Sequence, residues 1–600
     1  MKKRFTAALL FAASTLLAQG RGPRRYGSED GFAVFQQHCT SCHGNPNVAN
    51  APSPEAIRQR TPEAILASMT DGSMKMQAES LSSEEKRRLA EYMGGRPLGS
   101  AAAGDAAKMP NRCASNPAMA DPAATAEWEG WGATPQNTRF QTAKAGALSA
   151  DQAPKLKLKW AFGFPVGISA FSQPAVASGR VFVGSDTGFL YSLNAQTGCV
   201  YWSYQAKAGI RNAISVGPVK AAGAKYAVYF GDVRGNAYGI DAQNGKQIWT
   251  RRVEDHFSAR VTGAPKLYNG RLYVPMSSSE GFTAGTLDYP CCTFRGSVTS
   301  LDANTGQVIW KFYTIAEAPR PIKKNSKGVQ LYAPAGISVW NSPTVDPERN
   351  VIYFGTGDGW TDPVPNTSDA IIALDIDTGK VKWSYQATPN DSWLGGCGGK
   401  NKSENCPAEQ GPDVDFAASP MLVKLANGHS AIIAGQKSGT VYALDPDKNG
   451  AILWKTTVNA TPRGGIMFGG ATDGQNAYFA VTGGGVGALD LATGERRWFS
   501  PLAKEGTRAS NSAAITATPG VVYAGTSDGT MYAVSTTDGT VLWTATTNRD
   551  FDTVDKVPSH GGGMGAPGPV VAGGTLFVVS GYNVTGGTQP GNVLLAYSAE

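Results

Sequence analysis

Residues 38–44 read HCTSCHG and contain the pentapeptide C-x-x-C-H, whose side chains can bind one haem. In this pattern two cysteine sulfurs attach the porphyrin and the histidine binds the iron, which defines a c-type haem. We therefore expect Cys39 and Cys42 to carry the haem and His43 to be its proximal ligand. His38 is expected to be a surface residue. A haem carries one electron at a time, so the remaining chain must contain the source of those electrons.

The opposite face of the iron needs a second ligand. Methionine is a common choice because a thioether stabilises reduced iron and raises its potential. The segment DGSMKMQAESL (71–81) offers Met74 and Met76. Met74, seven residues before Leu81, is placed as the ligand is in small class I cytochromes c, which favours it over Met76.

The segments around these ligands predict a small all-α domain. Apolar residues have helical spacing in RTPEAILASM (60–69) and LSSEEKRRLAEYM (81–93). Ser82 and Glu85 have the spacing of a capping box, which favours a helix start there. We predict a cytochrome c domain over 27–98. The stretch 99–126, rich in Ala, Pro and Asn and without a hydrophobic period, predicts a linker.

Composition narrows the fold class of the chain outside the predicted haem domain. Six hundred residues exceed one ordinary core, and 73 glycines with only 17% charged residues suit many short strands joined by tight turns. The formal charge of +7 is small for this length, and no Lys/Arg-rich run follows the first residues, so nucleic-acid binding has little support.

The first residues, MKKRFTAALLFAASTLLAQG, combine basic residues, an apolar stretch and small residues near Ala18. This pattern predicts a secretory signal peptide over 1–18, and therefore a periplasmic protein. No later segment is apolar and long enough to span a bilayer.

Six cysteines remain after haem attachment, an even number that an oxidising compartment allows to pair. Six cysteines permit 15 connectivities. The spacings favour Cys397–Cys406 as a local staple and Cys113–Cys199 as a long-range tie.

The chain from 184 onward repeats. Seven units combine an alternating strand, an Asp/Asn-x-x-x-Gly turn and a strand ending in Trp. An eighth unit at the C-terminus lacks its Trp strand, which LKLKWAF near Trp160 can supply. Eight four-stranded blades closed by that early strand account for these pieces. We expect packing between blades to be the role of these tryptophans: Trp160, Trp202, Trp249, Trp310, Trp383, Trp454, Trp498 and Trp543.

The stretch WEGWGATPQNTRFQ (128–141) and the blade motif AxDxxTGxxxW resemble the quinoprotein alcohol dehydrogenases, which use pyrroloquinoline quinone (PQQ). LKLKWAFGFP and CCTFRGSV are most similar to their polyvinyl-alcohol dehydrogenase branch. The resemblance covers 127–600 and implies an all-β eight-bladed propeller. The haem domain in front of it makes the chain similar to quinohaemoproteins.

The resemblance implies a site in which a hard cation polarises the quinone and a carboxylate removes the hydroxyl proton. Glu280 matches the metal-binding Glu of the family. Asp358 in GTGD replaces the family's Asn, which keeps an oxygen ligand and adds a charge that would tighten a hard cation. Trp340 matches the floor of the quinone pocket, while Thr262 and Ser277 match residues that hydrogen-bond PQQ. The ion is Ca²⁺ or a lanthanide.

The catalytic base departs from the family pattern HD-x-W-D, because TPNDSWL ends in Leu394 and a Cys-bounded insertion follows. The D-x-D after the insertion resembles the family's continuation, so Asp413 is the predicted base and Asp391 the alternative. Asp415 resembles the extra carboxylate of lanthanide-using relatives. Lys437 matches the cation that donates to PQQ oxygens and stabilises its reduced form.

Two further elements are expected at the cofactor. Cys291–Cys292 resembles a vicinal disulfide that many family members hold against PQQ, although here it occupies another loop. Arg211 and Arg260 are expected to bind PQQ carboxylates, which suit arginine forks.

The sequence thus predicts a periplasmic dehydrogenase that oxidises secondary alcohols, polyvinyl alcohol or a similar chain, to ketones. Electrons would pass through haem c to a soluble cytochrome c or the respiratory chain. Two alternatives are a non-catalytic scaffold propeller with a redox module, and a PQQ dehydrogenase for small primary alcohols.

Overall fold

A computed structural model of the chain describes residues 29–44, 48, 50–122, 127–221, 223–398, 402–458, 465–502, 509–584 and 588–599. The predicted signal segment 1–18 and the last residues of the predicted linker lie outside the described residues.

The haem-binding module is all-α, as predicted. The side chain of Ser82 accepts from the Glu85 amide, and the Glu85 carboxylate accepts from the Ser82 amide at 2.8 Å, which confirms the capping box. The first and last helices pack so closely that a Cβ on Gly31 would lie 2.4 Å from the Arg88 carbonyl oxygen. The helices are Glu29–His38, Thr40–His43, Pro54–Ile57, Pro62–Thr70 and Ser83–Gly94.

The rest of the chain forms eight antiparallel blades, which confirms the predicted propeller. Blade 1 has the strands Ala175–Ala177, Arg180–Gly184, Phe189–Asn194 and Val200–Gln205, and blade 2 has Ser215–Ala221, Ala224–Gly231, Asn236–Asp241 and Gln247–Arg252. Blade 3 has Lys266–Tyr268, Arg271–Ser278, Ser297–Asp302 and Val308–Tyr313, with the short strand Ala259–Arg260 added. Blade 4 has Thr344–Asp346, Val351–Gly355, Ala370–Asp375 and Val381–Gln386.

The second half of the ring continues the same pattern. Its blades have the strands Met421–Lys424, Ser430–Gly435, Thr440–Asp445 and Ala451–Thr457; Ala471–Thr472, Asn476–Val481, Gly485–Asp490 and Arg496–Ser500; Thr516–Thr518, Val521–Gly525, Thr530–Ser535 and Val541–Thr546; and Val570–Ala572, Thr575–Ser580 and Val593–Ser598 completed by Lys157–Gly163.

The early strand Lys157–Gly163 closes the ring by pairing antiparallel with Val593–Ser598. The strand that contains Trp160 therefore completes the last blade, as predicted. Main-chain hydrogen bonds between an early strand and the last blade thereby join the two ends of the ring.

The repeated Trp and turn Gly form one contact between neighbouring blades. The Trp202 indole donates to the Ala242 carbonyl at 3.2 Å, and a Cβ on Gly245 would lie 2.7 Å from its ring. Gly245 has a φ of +76°, which glycine adopts readily. Trp249 repeats this contact with Ala303 and Gly306. The interblade role expected of these tryptophans follows from this geometry.

Shorter elements decorate the ring. The segment predicted as a linker lies along blades 1 and 2, where the amide of Cys113 donates to the Val200 carbonyl at 3.0 Å. Within the described residues, no helix is long and apolar enough to cross a membrane. The shorter elements outside the blades include three helices, Ser100–Ala103, Ala143–Gly146 and Glu280–Thr283. They also include two hairpins, one of Arg320–Lys324 with Gln330–Ala333 and one of Asp550–Phe551 with Ser559–His560.

The cysteines pair as their spacings favoured. Cys113 bonds to Cys199 and Cys397 to Cys406, while the adjacent Cys291 and Cys292 bond to each other. Cys39 and Cys42 are left as free thiols, which suits haem attachment.

Candidate active site

Three carboxylates from two neighbouring blades meet at one end of the propeller. Asp358 follows the second strand of blade 4, and Asp413 and Asp415 lie in the segment that leads into blade 5. One carboxylate oxygen from each lies within 4.8 Å of those from the other two. This set of oxygens has the chemistry and spacing of a hard-cation site.

Lys437 faces this cluster from the turn after the second strand of blade 5. Its Nζ lies 2.5 Å from Oδ1 of Asp413 and 3.0 Å from Oδ2 of Asp415. The same ammonium lies 5.2 Å from the centre of the Trp340 ring. Lys437 thus lies between the acids and an aromatic face.

Asp415 organises the cluster. Its Oδ1 accepts from the Asp358 amide and its Oδ2 from the Trp340 indole, both at 3.0 Å. The indole bond fixes the plane of the Trp340 ring, which also meets Phe468 edge-on at 5.6 Å. A flat cofactor could lie on a ring held in this way.

Asp391, the alternative base, is directed at the backbone instead. Its two carboxylate oxygens accept from the amides of Asp413 at 3.2 Å and Val414 at 2.9 Å. Asp413 has a φ of +59°, which Asp and Asn tolerate better than most residues. Asp391 is fully buried, whereas Asp413 is partly exposed. The arrangement makes Asp391 a support for Asp413.

Burial and charge set different protonation tendencies in the cluster. Burial, with the charge of Asp415, raises the pKa of Asp413 to about 6 despite the opposing effect of Lys437. Burial and the same neighbour raise the pKa of Asp358 above its usual range. Burial also acts to raise the pKa of Asp415, but the charge of Lys437 and hydrogen bonds from Asp358 and Lys437 outweigh it and lower that pKa.

Sequence reasoning missed a fifth acid, Asp369. Its two carboxylate oxygens are buried and accept no hydrogen bond, and burial with the charges of Asp415 and Asp391 raises its pKa to about 10. Asp369 directly precedes the third strand of blade 4 and has a φ of +45°. The equivalent position in blade 5 is occupied by Gly439, which has a φ of +82°. An acid in place of a turn glycine was the signal that could have found it.

A narrow pocket that is partly open to solvent lies beside Trp340. Three predicted PQQ-binding residues line it: Arg211, Thr262 and Trp340. The Arg211 guanidinium also donates to the Tyr582 hydroxyl, whose ring contacts Phe468. The cavity therefore has an aromatic wall and a cation.

The other predicted PQQ contacts are not among the described residues that line the cavity. The hydroxyls of Ser277 and Thr262 share a hydrogen bond of 2.6 Å, and Ser277 also donates to the Arg260 carbonyl at 3.1 Å. Cys291–Cys292 is not among the described residues that line the cavity. It is buried in a packed cluster with Phe294 and Trp360.

The placement of Glu280 differs from the expectation. Its carboxylate accepts from the Tyr289 hydroxyl at 3.0 Å and from the amides of Thr293 and Phe294 at 3.0 and 2.8 Å. These donors occupy both oxygens, and Glu280 is not part of the three-carboxylate cluster. It holds the loop that follows the vicinal disulfide.

The haem residues lie together in the module. His43 Nδ1 is 2.8 Å from the Pro52 carbonyl; since a carbonyl only accepts, Nδ1 carries the proton and Nε2 is the ring nitrogen left for iron. Met74 and Cys39 both pack against one apolar cluster that the module shares with the propeller, whereas the Met76 side chain is exposed. This placement favours Met74 as the second ligand.

The residues present fit the groups that the resemblance implies. Asp358 Oδ2 is buried and has no partner, and one ammonium cannot neutralise three carboxylates, so the cluster suits a cation of charge two or three. The residues beside Trp340 and Arg211 supply the aromatic faces and the cation that a planar anionic quinone requires.

Comparisons with known proteins define the class. A family described as "Glucose/ethanol/alcohol dehydrogenase, beta-propeller domain" matches residues 128–473, and "Outer membrane protein assembly factor BamB" matches 437–593. "Cytochrome C oxidase, cbb3-type, subunit III" matches 28–93. A solved quinohaemoprotein alcohol dehydrogenase, ADHIIG from Pseudomonas putida, shares the fold with a TM-score of 0.59 at 18% identity, covering 81% of this chain and 83% of that one.

Two curated relatives extend over nearly the whole chain. A polyvinylalcohol dehydrogenase from a Pseudomonas species is 38% identical, covering 95% of this chain and 94% of its own. One from Sphingopyxis sp. (strain 113P3) is 36% identical over 95% and 93%. The chain belongs to the PQQ-dependent quinohaemoprotein alcohol dehydrogenases, with PQQ and haem as its cofactors and a metal site that fits calcium or a lanthanide.

Proposed function

We propose that this enzyme oxidises secondary hydroxyl groups of a polyvinyl-alcohol-like chain to ketones in the periplasm and passes the electrons through its haem to an external acceptor. The juxtaposition of Asp413, Lys437 and the three-carboxylate cluster beside Trp340 carries the proposal. The names of the two relatives support the substrate class. PQQ supplies the two-electron oxidant, and Cys39, Cys42, His43 and Met74 would hold the haem.

The chain's own residues have distinct tasks in this proposal. Asp413, the most exposed acid of the cluster, would remove the hydroxyl proton as a general base. Asp358 and Asp415 would hold the cation with Asp413, and Lys437 would stabilise negative charge that develops on the cofactor oxygens. Arg211, Thr262 and Trp340 would orient the cofactor in the cavity.

The haem module and the disulfides support the proposed electron exit and the proposed location. The haem would pass single electrons to a soluble cytochrome c or to the respiratory chain. Three disulfides suit an oxidising compartment such as the periplasm, as does the N-terminal pattern of the sequence.

A substrate screen tests this function. Protein loaded with haem, PQQ and either Ca²⁺ or La³⁺ is mixed with polyvinyl alcohol, secondary 1,3-diols or short primary alcohols while the haem absorbance is followed. We expect haem reduction to be fastest with the polymer and the secondary diols. Faster reduction by primary alcohols would assign the enzyme to the small-alcohol alternative, and no reduction by any alcohol would reject the proposed function.

A further inference from the structure

The haem-binding module packs directly against the propeller, and Phe257 is the central contact. Phe257 lies after the last strand of blade 2. Its ring stacks on Phe35 of the module, with centroids 6.1 Å apart and planes at 24°. The Arg58 guanidinium lies 4.7 Å from the centre of the same ring. Aromatic stacking and cation–π contacts require a particular orientation of the two groups, so this face is a specific interface.

On the module side, the contact leads to the iron ligand. The Phe35 ring, which stacks on Phe257, also stacks on His43, with centroids 6.5 Å apart and planes at 30°. A single buried ring therefore separates the propeller from the predicted proximal ligand.

On the propeller side, further rings extend from the neighbour of Phe257 to the chain segment that contains Asp358. His256, the neighbour of Phe257, meets Phe294 edge-on at 5.4 Å, and its Nε2 lies 2.9 Å from the Thr293 hydroxyl. Phe294 stacks on Trp360 at 5.7 Å with planes at 27°. Trp360 is buried and lies two residues after Asp358.

We propose that these rings, here called the ring ladder, are the bridge along which electrons pass from the quinone site to the haem. The inference rests on the proposed function and names the residues that would serve it. Each step between ladder residues is either a ring contact, with centroids 5.4 to 6.5 Å apart, or the peptide bond that joins His256 to Phe257. Electrons pass more readily through short contacts and covalent bonds than across open space. The ring ladder consists of Trp360, Phe294, His256, Phe257, Phe35 and His43.

The electron balance needs no redox change in the ladder. Oxidation of one C–OH to C=O releases two electrons and two protons. Two successive steps each reduce one ferric haem to the ferrous state, and an external one-electron acceptor reoxidises the iron after each step. The protons leave the site to solvent, and the rings end unchanged.

Single-turnover kinetics of Phe257→Leu test the ladder. The holoenzyme is mixed with alcohol while the quinone and haem bands are followed separately. We expect quinone reduction at the wild-type rate and haem reduction slower by about tenfold or more. Phe257→Tyr, which keeps the ring, should restore the rate. Phe312→Leu, a matched change in blade 3 outside the ladder, should have no effect.

Phe294→Leu separates electron transfer from docking, because Phe294 is a ladder residue inside the propeller, between His256 and Trp360. We expect it to slow haem reduction while hydrogen exchange of residues 29–44 stays unchanged. A pulse-radiolysis measurement of electron return from reduced haem to oxidised quinone gives a readout without alcohol. If no alcohol reduces the quinone, the proposed function fails and this readout still tests the ladder. Wild-type transfer rates in both Leu variants would overturn the inference.

Discussion

Lys437 donates to Asp413 across 2.5 Å between Nζ and Oδ1. The same ammonium lies 3.0 Å from Asp415. Burial lowers the pKa of Lys437, but the charges of Asp415, Asp413 and Asp358 outweigh burial and raise it, so the side chain stays charged. When all three carboxylates are ionised, one positive charge leaves a buried excess of negative charge, which a bound cation can balance.

Asp413→Asn tests the base. Asn tolerates the positive φ of this position, so the backbone is preserved, but the amide cannot accept the hydroxyl proton. We expect kcat for alcohol oxidation to fall by about 10²–10⁴-fold. Steady-state kinetics with a dye acceptor measure this, and retained quinone absorbance shows that the cofactor is still bound.

Asp391→Asn is the matched control for that variant. The change leaves one acceptor for the amides of Asp413 and Val414 and removes the other, so it disturbs the support of Asp413 without removing the proposed base. We expect kcat to fall by about tenfold, in line with the loss of one buried hydrogen bond. If the Asp413→Asn variant kept full activity and the Asp391→Asn variant were inactive, Asp391 would be the base.

Asp358→Asn tests why an acid replaces an amide at the metal site. The oxygen ligand remains and one negative charge is lost, so attraction weakens in proportion to the charge of the ion. We expect the affinity for La³⁺ to fall by more than that for Ca²⁺. Isothermal titration of the quinone-free protein measures both affinities, and an equal loss for the two ions would contradict this prediction.

Glu280→Gln distinguishes a loop support from a metal ligand. The carboxylate accepts from Tyr289 and from two amides, and hydrogen bonds to a charged group contribute about 1.5–3 kcal/mol each. We expect the free energy of unfolding of the propeller to fall by about 1–3 kcal/mol. Metal affinity should stay within about threefold of wild type. A larger loss would show that Glu280 is a metal ligand.

The propeller and the haem module could be predicted because each is specified by local patterns. Between neighbouring blades, a turn glycine packs on the Trp of the preceding blade. The Trp of this motif therefore occurs once per blade, and counting it predicts the number of blades. The haem signature needs only five consecutive residues. Such patterns are visible in one sequence because the residues that cooperate are close along the chain.

The site was only partly predictable because its residues are brought together by the ring. Asp358, Asp413 and Lys437 were found through their family positions. Glu280 was assigned to the metal by the same reasoning, but local donors take its oxygens. Asp369 was missed because nothing in its own repeat marks it except the replaced glycine, and its acid neighbours are distant in sequence.

The docking of the module was not predictable at all. Phe35 and Phe257 are 222 positions apart, and neither belongs to a recognisable motif. An interface made by isolated aromatic residues from two domains carries no periodic signal, so only the folded structure brings it into view.

Asp186 makes stability depend on pH outside the active site. Its Oδ2 accepts from the amides of Ile168 and Ser169, but its Oδ1 is buried without a partner. Burial raises the pKa of Asp186 to about 7. Because the unfolded carboxyl titrates near 3.9, the folded state holds a proton that the unfolded state has lost, so stability falls as pH rises from about 4 to 7.

Asp186→Asn removes this loss of stability at higher pH, since the amide carries no charge and keeps an oxygen that accepts from the two backbone donors. Between pH 4 and pH 8, the free energy of unfolding of Asp186→Asn should rise relative to wild type by roughly 1–4 kcal/mol. Denaturant unfolding at the two pH values measures the difference. The exposed Asp552 provides a control, because Asp552→Asn removes a charge but no burial cost. A difference that is the same at both pH values would show that Asp186 stays ionised in the fold.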